Sequence, residues 1–210
     1  MTKYTLLIGS LEKYFGRRLV FQGVNASWES GFVYGIAGSN GSGKSTLVKI
    51  IANLISSDRG KIIHKENDKT ISSEQLHNFL GFLSPYLFLY DEFSAEENLI
   101  HFSNIRGIKF NKQLFDELMN KVNLFDRRSD LVRGYSSGMK QRLRFVFALL
   151  HQPRLIIFDE PTSNLDSEGK EAVYKIIDEQ RKTNLLIIAS NDESDLNVCN
   201  EILNIEDYKK

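Results

Sequence analysis

The chain carries a single cysteine, Cys199, among its 210 residues. No internal disulfide can form, which fits a reducing compartment, and the surrounding Leu196-Asn197-Val198-Cys199 reads as packing. An excess of one charge is also missing, since 27 Lys and Arg balance 27 Asp and Glu. A dedicated nucleic-acid surface usually shows a basic excess, so no nucleic-acid partner is expected. The four histidines are scattered without metal-ligand spacing. No apolar run approaches the ~20 residues needed to span a bilayer. The N-terminal Met1-Thr2-Lys3-Tyr4-Thr5-Leu6-Leu7-Ile8 is too short in apolar length for a signal peptide and reads as a first strand. Internal repeats and low-complexity linkers are absent. The expectation is one compact soluble domain, with two lobes at most and no added regulatory domain.

What is present is a phosphate cradle. Gly38, Ser39, Asn40, Gly41, Ser42, Gly43, Lys44, Ser45 and Thr46 contain the pattern G-x-x-x-x-G-K-[ST]. The apolar run Phe32-Val33-Tyr34-Gly35-Ile36 before it reads as a buried strand, and Leu47-Val48-Lys49-Ile50-Ile51-Ala52 after it reads as a helix. Glycines let the backbone take positive φ and approach an anion closely. Successive N–H groups then point at the phosphates, and the helix dipole adds positive potential. Lys44 is placed to reach the β- and γ-phosphates of a nucleotide, and the Ser45 hydroxyl to ligate Mg²⁺.

A second segment, Arg154 to Glu160, reads RLIIFDE. Its continuous apolar run predicts a parallel strand covered on both faces. Two carboxylates at its carboxyl end would sit beside the cradle, where open α/β sheets bind ligands. Asp159 is placed to hold Mg²⁺ through water, and Glu160 to polarise an attacking water as general base. A third segment, Tyr135-Ser136-Ser137-Gly138-Met139, opens a predicted helix with small residues that offer N–H and O–H donors. On its own it reads equally well as a helix from Gly138 to Leu150 capped by Ser136 or Ser137.

Taken together, these segments resemble the ATP-binding cassette (ABC) ATPases of transporters, of the short bacterial exporter-like type. Tyr135 to Met139 is a variant of the family's LSGGQ signature, which closes on the γ-phosphate held by the other subunit of a head-to-tail dimer. Lys13-Tyr14-Phe15-Gly16 resembles the aromatic loop that stacks on adenine, with Phe15 in the stacking position; an aromatic packing a strand end stays open as an alternative. Pro161 to Asp166 resembles the D-loop, with Asp166 at the subunit interface, and Ser94 to Leu99 the start of the helical subdomain, where Ser94 and Glu97 also fit a capping box.

The resemblance implies an α/β fold, a P-loop NTPase with ABC architecture: a mixed core sheet flanked by helices, an N-terminal antiparallel β-subdomain and an inserted α-helical subdomain. The core and β-subdomain would take residues 1–84 and 152–210, and the helical subdomain residues 85–151. It further implies ATP and Mg²⁺ as ligands and ATP hydrolysis as the reaction. The partners would be a membrane-spanning transporter subunit and a second ABC ATPase, in a homodimer or heterodimer. The implied location is cytoplasmic, peripheral on the inner face of the cell membrane.

Two positions depart from the family pattern. Counting back from Glu97-Asn98-Leu99, Pro85 stands where a glutamine is usual, and proline can neither ligate Mg²⁺ through its side chain nor orient water. Divergent loops lacking this glutamine occur in cassettes like those of haem exporters. Asn191 stands where the family has histidine after its strand. An amide can bond a γ-phosphate but cannot become a cation or relay a proton. Asn191 therefore enters the catalytic set with Glu160 and Lys44, and the expectation is intact nucleotide binding with slow or partner-dependent hydrolysis.

The rest sorts coarsely. Tyr4 to Trp28 predicts antiparallel strands with a turn near Gln22-Gly23, Gly60 to Ile63 a short strand, and Lys65 to Lys69 a solvated turn. Leu114, Phe115, Leu118, Met119 and Val122 recur at helical spacing, as subdomain core. Ser167 to Lys182 predicts another helix and Ile202 to Ile205 a last strand. Pro85 to Tyr90 is rich in large apolar groups and is read equally as a groove for the membrane subunit's coupling helix or as packing between lobes. A nucleotide-gated scaffold with weak hydrolysis is the alternative function, and a soluble cassette of DNA repair or translation a third. A GTPase is disfavoured because Asn111-Lys112-Gln113-Leu114 lacks the aspartate of NKxD.

Overall fold

A computed structural model describes residues 3–85 and 87–209. The chain runs through β1 (Tyr4–Phe15), β2 (Arg18–Glu29), β3 (Val33–Ala37), α1 (Lys44–Ile51), β4 (Arg59–Glu66), β5 (Lys69–Ile71), α2 (Leu76–Phe79) and β6 (Leu80–Leu83). It continues through α3 (Ala95–Ile105), α4 (Lys112–Lys121), α5 (Ser137–Leu149), β7 (Leu155–Asp159), α6 (Ser167–Gln180), β8 (Leu185–Ser190), α7 (Glu193–Leu196) and β9 (Glu201–Asn204). Short 3₁₀ turns lie at Phe125–Arg127, Val132–Gly134 and Ile205–Tyr208.

The antiparallel strands form the expected N-terminal sheet, whereas the core sheet, expected to be mixed, is parallel at every pairing among the described residues. The antiparallel sheet has the order β2-β1-β4-β5 and the parallel sheet the order β6-β7-β8-β3-β9. Every residue of β7 and β8 is buried, as a parallel strand with both faces covered requires. The period of two sorts their side chains cleanly. Leu155, Ile157, Leu185, Ile187 and Ala189 face the antiparallel sheet and α1, among Leu6, Phe21, Leu47 and Ile51. Ile156, Phe158, Leu186 and Ile188 face Leu143 and Phe145 of α5 and Val173 and Ile176 of α6. Each buried Leu or Ile contributes about 1.5–3 kcal/mol, so a slip of one residue would exchange both faces at once.

The hairpin turn falls at Gly16-Arg17 rather than near Gln22-Gly23. β2 pairs Phe21 with Lys13 and Val24 with Leu11, so Gln22 and Gly23 together oppose Glu12 in a bulge. The turn chemistry read there is real, but it kinks a strand instead of ending it. The solvated turn does reverse the chain: Asn67 and Asp68 take φ of 46° and 66° between β4 and β5, the pattern of a two-residue hairpin loop.

Phe115, Leu118, Met119 and Val122 are buried, as their spacing predicts. α3 starts on the expected capping box: Glu97 N donates to Ser94 Oγ at 3.2 Å, and Ser94 N donates to Glu97 Oε2 at 2.8 Å. Buried Asn98 then ties down the preceding loop, accepting from Tyr90 N and donating to the carbonyls of Tyr90, Phe93 and Ser94. Cys199 packs as expected, and burial pushes its thiol up to about 12. Among the described residues, no helix is long and apolar enough to cross a membrane.

Candidate functional site

Because the strands of the second sheet are parallel, their carboxyl ends share one edge. β3 delivers Gly38 to Gly43, β7 delivers Asp159 and Glu160, β8 delivers Ser190 and Asn191, and β6 delivers Ser84 and Pro85. A cleft of about 660 Å³ opens at this edge. Asn40 to Thr46 line its floor, with Asp159, Glu160 and Pro85 to one side and Phe15 at the rim.

The loop folds as a cradle. Gly43 has φ of 114°, and a Cβ there would come within 2.7 Å of Val20 Cγ1, so only glycine passes between β2 and α1. α1 starts at Lys44 without a side-chain cap, which leaves its first N–H groups free to meet an anion. The Lys44 ammonium is buried and curls back on the loop. It donates to the carbonyls of Gly38 at 2.9 Å and Ser39 at 3.3 Å, and lies 3.3 Å from Glu160 Oε1. Those contacts occupy the three donors that an ammonium has. Ser39 N and Oγ both donate to Glu206 Oε1, fastening the loop to the last 3₁₀ turn.

Ser45 Oγ donates to Asp159 Oδ1 at 3.0 Å. Asp159 Oδ2 is buried without a partner among the described residues, and burial is the main cause that raises the carboxyl above its ordinary range. The Ser42 hydroxyl is likewise buried and finds no partner among the described residues. A hydroxyl beside an orphaned, desolvated carboxylate oxygen suits a hard divalent cation that takes its other ligands from phosphate and water. Glu160 sits in the left-handed region at φ 51°, a costly place for a residue with a Cβ. Its N–H donates to Ala189 O at 2.8 Å, and Ser190 Oγ lies 3.4 Å from its Oε2.

The other expected residues are placed as follows. The Phe15 ring is 57% exposed, so it does not pack a strand end, and the Lys13 ammonium lies 5.3 Å from its centroid. Asn191 donates to Asn40 Oδ1 at 3.2 Å and so touches the cradle's tip. Pro85 lines the cleft where glutamine was expected. Tyr135 is buried, its hydroxyl donating to Arg127 O at 2.6 Å, and Ser136 rather than Ser137 caps α5 by accepting from Met139 N. Gly138 approaches the D-loop so closely that a Cβ would lie 3.1 Å from Asn164 O. None of Tyr135 to Met139 lines the cleft. Asp166 caps α6, accepting from Gly169 N at 2.8 Å.

The apolar stretch after Pro85 divides. Leu89 is buried and Leu87 half-buried, whereas Phe88 is 75% exposed and meets Tyr90 edge to face; Tyr86 lies outside the described residues. Sequence reasoning missed Arg18, Leu19, Val20 and Lys209, which also line the cleft. It also missed Asp195, a buried hub that accepts from Thr162 Oγ1 at 2.9 Å, Tyr174 OH at 3.0 Å and Ser190 Oγ at 2.7 Å.

Comparison with known proteins shows the family. The sequence profile of the ABC transporter family matches residues 21–163. The lantibiotic transport ATP-binding protein SrtF of Streptococcus pyogenes is 32% identical over 97% of this chain and 84% of its own length. The linearmycin resistance ATP-binding protein LnrL of Bacillus subtilis is 29% identical over 85% of this chain, which spans only 58% of LnrL. A putative ABC transporter ATP-binding protein from Pyrococcus furiosus superposes with a TM-score of 0.84 at 25% identity, over 98% of this chain and 100% of that one. The chain belongs to the ABC transporter family, among its ATP-binding proteins.

Proposed function

We propose that the chain is the ATP-hydrolysing subunit of an ABC transporter and works through a separate membrane-spanning subunit. The observation that carries this reading is the convergence of Lys44, Ser45, Asp159 and Glu160 on one cleft. Adenine stacks on the exposed Phe15 ring, and the amides of Gly41 to Thr46 take the phosphates. The incoming phosphates compete for the Lys44 ammonium, which gives up its contacts to the Gly38 and Ser39 carbonyls and to Glu160. Glu160, released from that ion pair, accepts a proton from the attacking water. Ser45 and Asp159 are the residues that would hold Mg²⁺, which when bound offsets phosphate charge.

The signature residues Tyr135 to Met139 and the D-loop residue Asp166 serve the cleft of a second ATPase chain, a copy or a relative, so that two ATP molecules close a head-to-tail dimer. Residues 85–151 form the helical subdomain that moves against a core of 1–84 and 152–210, and exposed Phe88 and Tyr90 meet the membrane subunit. The location that follows is the inner face of the cell membrane. The named functions of SrtF and LnrL, lantibiotic transport and linearmycin resistance, favour export.

A second reading, a nucleotide-gated module with little hydrolysis, is favoured by Pro85 and Asn191. ATP turnover with Mg²⁺, measured beside Lys44→Ala and Glu160→Gln, separates the two. Turnover abolished by both changes supports the ATPase. Tight ATP binding without turnover, alone or with the membrane subunit, supports the gated module.

A further inference from the structure

Two side chains of α5 bridge the segment after Pro85 to the segment of the catalytic acid. Arg144 donates from Nε to the Leu87 carbonyl at 3.2 Å and from a terminal nitrogen to Gln141 Oε1 at 3.0 Å. Gln141, buried at 2% exposure, donates from Nε2 to the Glu160 carbonyl at 3.2 Å and the Pro161 carbonyl at 3.0 Å. Leu87 itself borders a hollow of about 280 Å³ that it shares with His77, Phe102 and Arg106.

We propose that Arg144 is a positioning residue, which fixes the orientation of the Gln141 amide and thereby ties the backbone of Glu160 to that of Leu87. The two carbonyls at Glu160 and Pro161 accept only, so Gln141 must present its nitrogen to them. Its oxygen then needs a donor in a buried place, and a guanidinium offers donors alone. Without Arg144 the buried amide oxygen has no donor and the amide loses its reason to face one way.

The Glu160 carbonyl matters because that residue is held at φ 51°. Gln141 Nε2 and Ser163 Oγ both donate to it, the latter at 3.0 Å. A strained conformation persists only while its surroundings over-determine it. Loss of the Gln141 bond frees the 160–161 peptide to relax and turns the Glu160 carboxylate away from the cleft and from Lys44, while Lys44 keeps its bonds to the Gly38 and Ser39 carbonyls. A shift of Leu87, at the border of the hollow, reaches Glu160 by the same pair of side chains.

The proposal rests on the reading of Glu160 as the hydrolytic base, and the test separates the two. Arg144→Met keeps the packing stem and removes every donor. In the purified full chain with Mg-ATP, kcat falls roughly 10- to 100-fold with KM unchanged. Amide exchange, read by mass spectrometry, quickens in 160–163 and 87–89. Arg144→Lys, which keeps a donor, recovers part of both, and in a Gln141→Leu background Arg144→Met costs nothing more. Unchanged kcat with unchanged exchange, a rise in KM alone, or losses that add independently would overturn the proposal. If Arg144→Met does not fold, Gln141→Glu carries the same test, since it keeps an acceptor for Arg144 but no donor for Glu160. If Glu160→Gln turns over as fast as the native chain, or the native chain hydrolyses nothing, the reading of Glu160 fails. Amide exchange then decides the tie alone: faster exchange supports it and unchanged exchange overturns it.

Discussion

The Ser45 hydroxyl points at Asp159 Oδ1, 3.0 Å away across 114 residues of sequence, and leaves Asp159 Oδ2 buried with no partner among the described residues. Half of a carboxylate is satisfied and half is desolvated, which is why burial heads the causes that raise its pKa. Asp159→Asn removes a buried charge without changing shape. The nucleotide-free protein is expected to keep or raise its melting temperature, while Mg²⁺-dependent ATP turnover falls at least ~10²-fold. A variant that melts early, or that turns over normally, speaks against a cation at this place.

Phe15 presents an exposed ring at the rim of the cleft. Phe15→Ala should leave stability within about 0.5 kcal/mol yet weaken ATP binding by roughly 1–3 kcal/mol, and Phe15→Tyr should restore it. Titration calorimetry with a non-hydrolysable analogue reads this directly. Equal affinities for the Ala and Tyr variants would remove the ring from the site.

Asn191 holds an exposed amide contact to Asn40, and Pro85 offers no polar side-chain atom. Asn191→His together with Pro85→Gln is expected to raise turnover, since a positioned acid–base group is worth ~10²–10⁴-fold. Steady-state assays of the single and double variants check this. Rates no higher than the native chain's in any of them would show that these positions do not limit it.

Phe88 and Leu89 are neighbours in sequence and opposites in burial, 75% against 6% exposed. Phe88→Asp should leave the fold intact and abolish co-purification with the membrane subunit. Leu89→Asp should lower the melting temperature sharply, because it buries an unpaired charge. Loss of the fold in Phe88→Asp would return the stretch to packing.

Burial depresses the imidazoles of His64, bonded to Tyr4 OH at 2.9 Å, and His151, bonded to Leu80 O at 2.8 Å, to about 4. The unfolded imidazole stays near ~6.5. Between those values the unfolded chain binds more protons, so stability is complete above ~6.5 and drains away as pH falls toward 4. Urea unfolding at pH 7 and pH 5 should differ by roughly 2–4 kcal/mol. A flat profile across that interval would contradict the buried, neutral state of both rings.

Much of this was legible in the sequence because the signals were local. Gly38 to Gly43 mark a loop between an apolar strand and the helix that Lys44 opens, Leu155 to Phe158 read as a covered strand from their lack of alternation, and Ser94 with Glu97 marked a helix start to the residue. The bulge at Gln22-Gly23 was misread because a kink and a turn use the same residues, and only pairing with Lys13 and Leu11 tells them apart. Asp195 and the Gln141–Arg144 bridge were invisible for a different reason. Their partners lie on other elements, and a buried polar group is spelled no differently from a solvated one until the fold supplies its neighbours.

The glycine-bearing turn at Tyr135 to Met139 stands apart from the cleft and leans on Asn164 of the loop after β7. On the proposed reading, each molecule brings half of two reaction chambers and the whole of none. Rate then becomes a property of encounters: in dilute solution, doubling the protein should quadruple hydrolysis until the paired state saturates. A single chain with an altered turn would silence one chamber of its mate while leaving the other chamber whole.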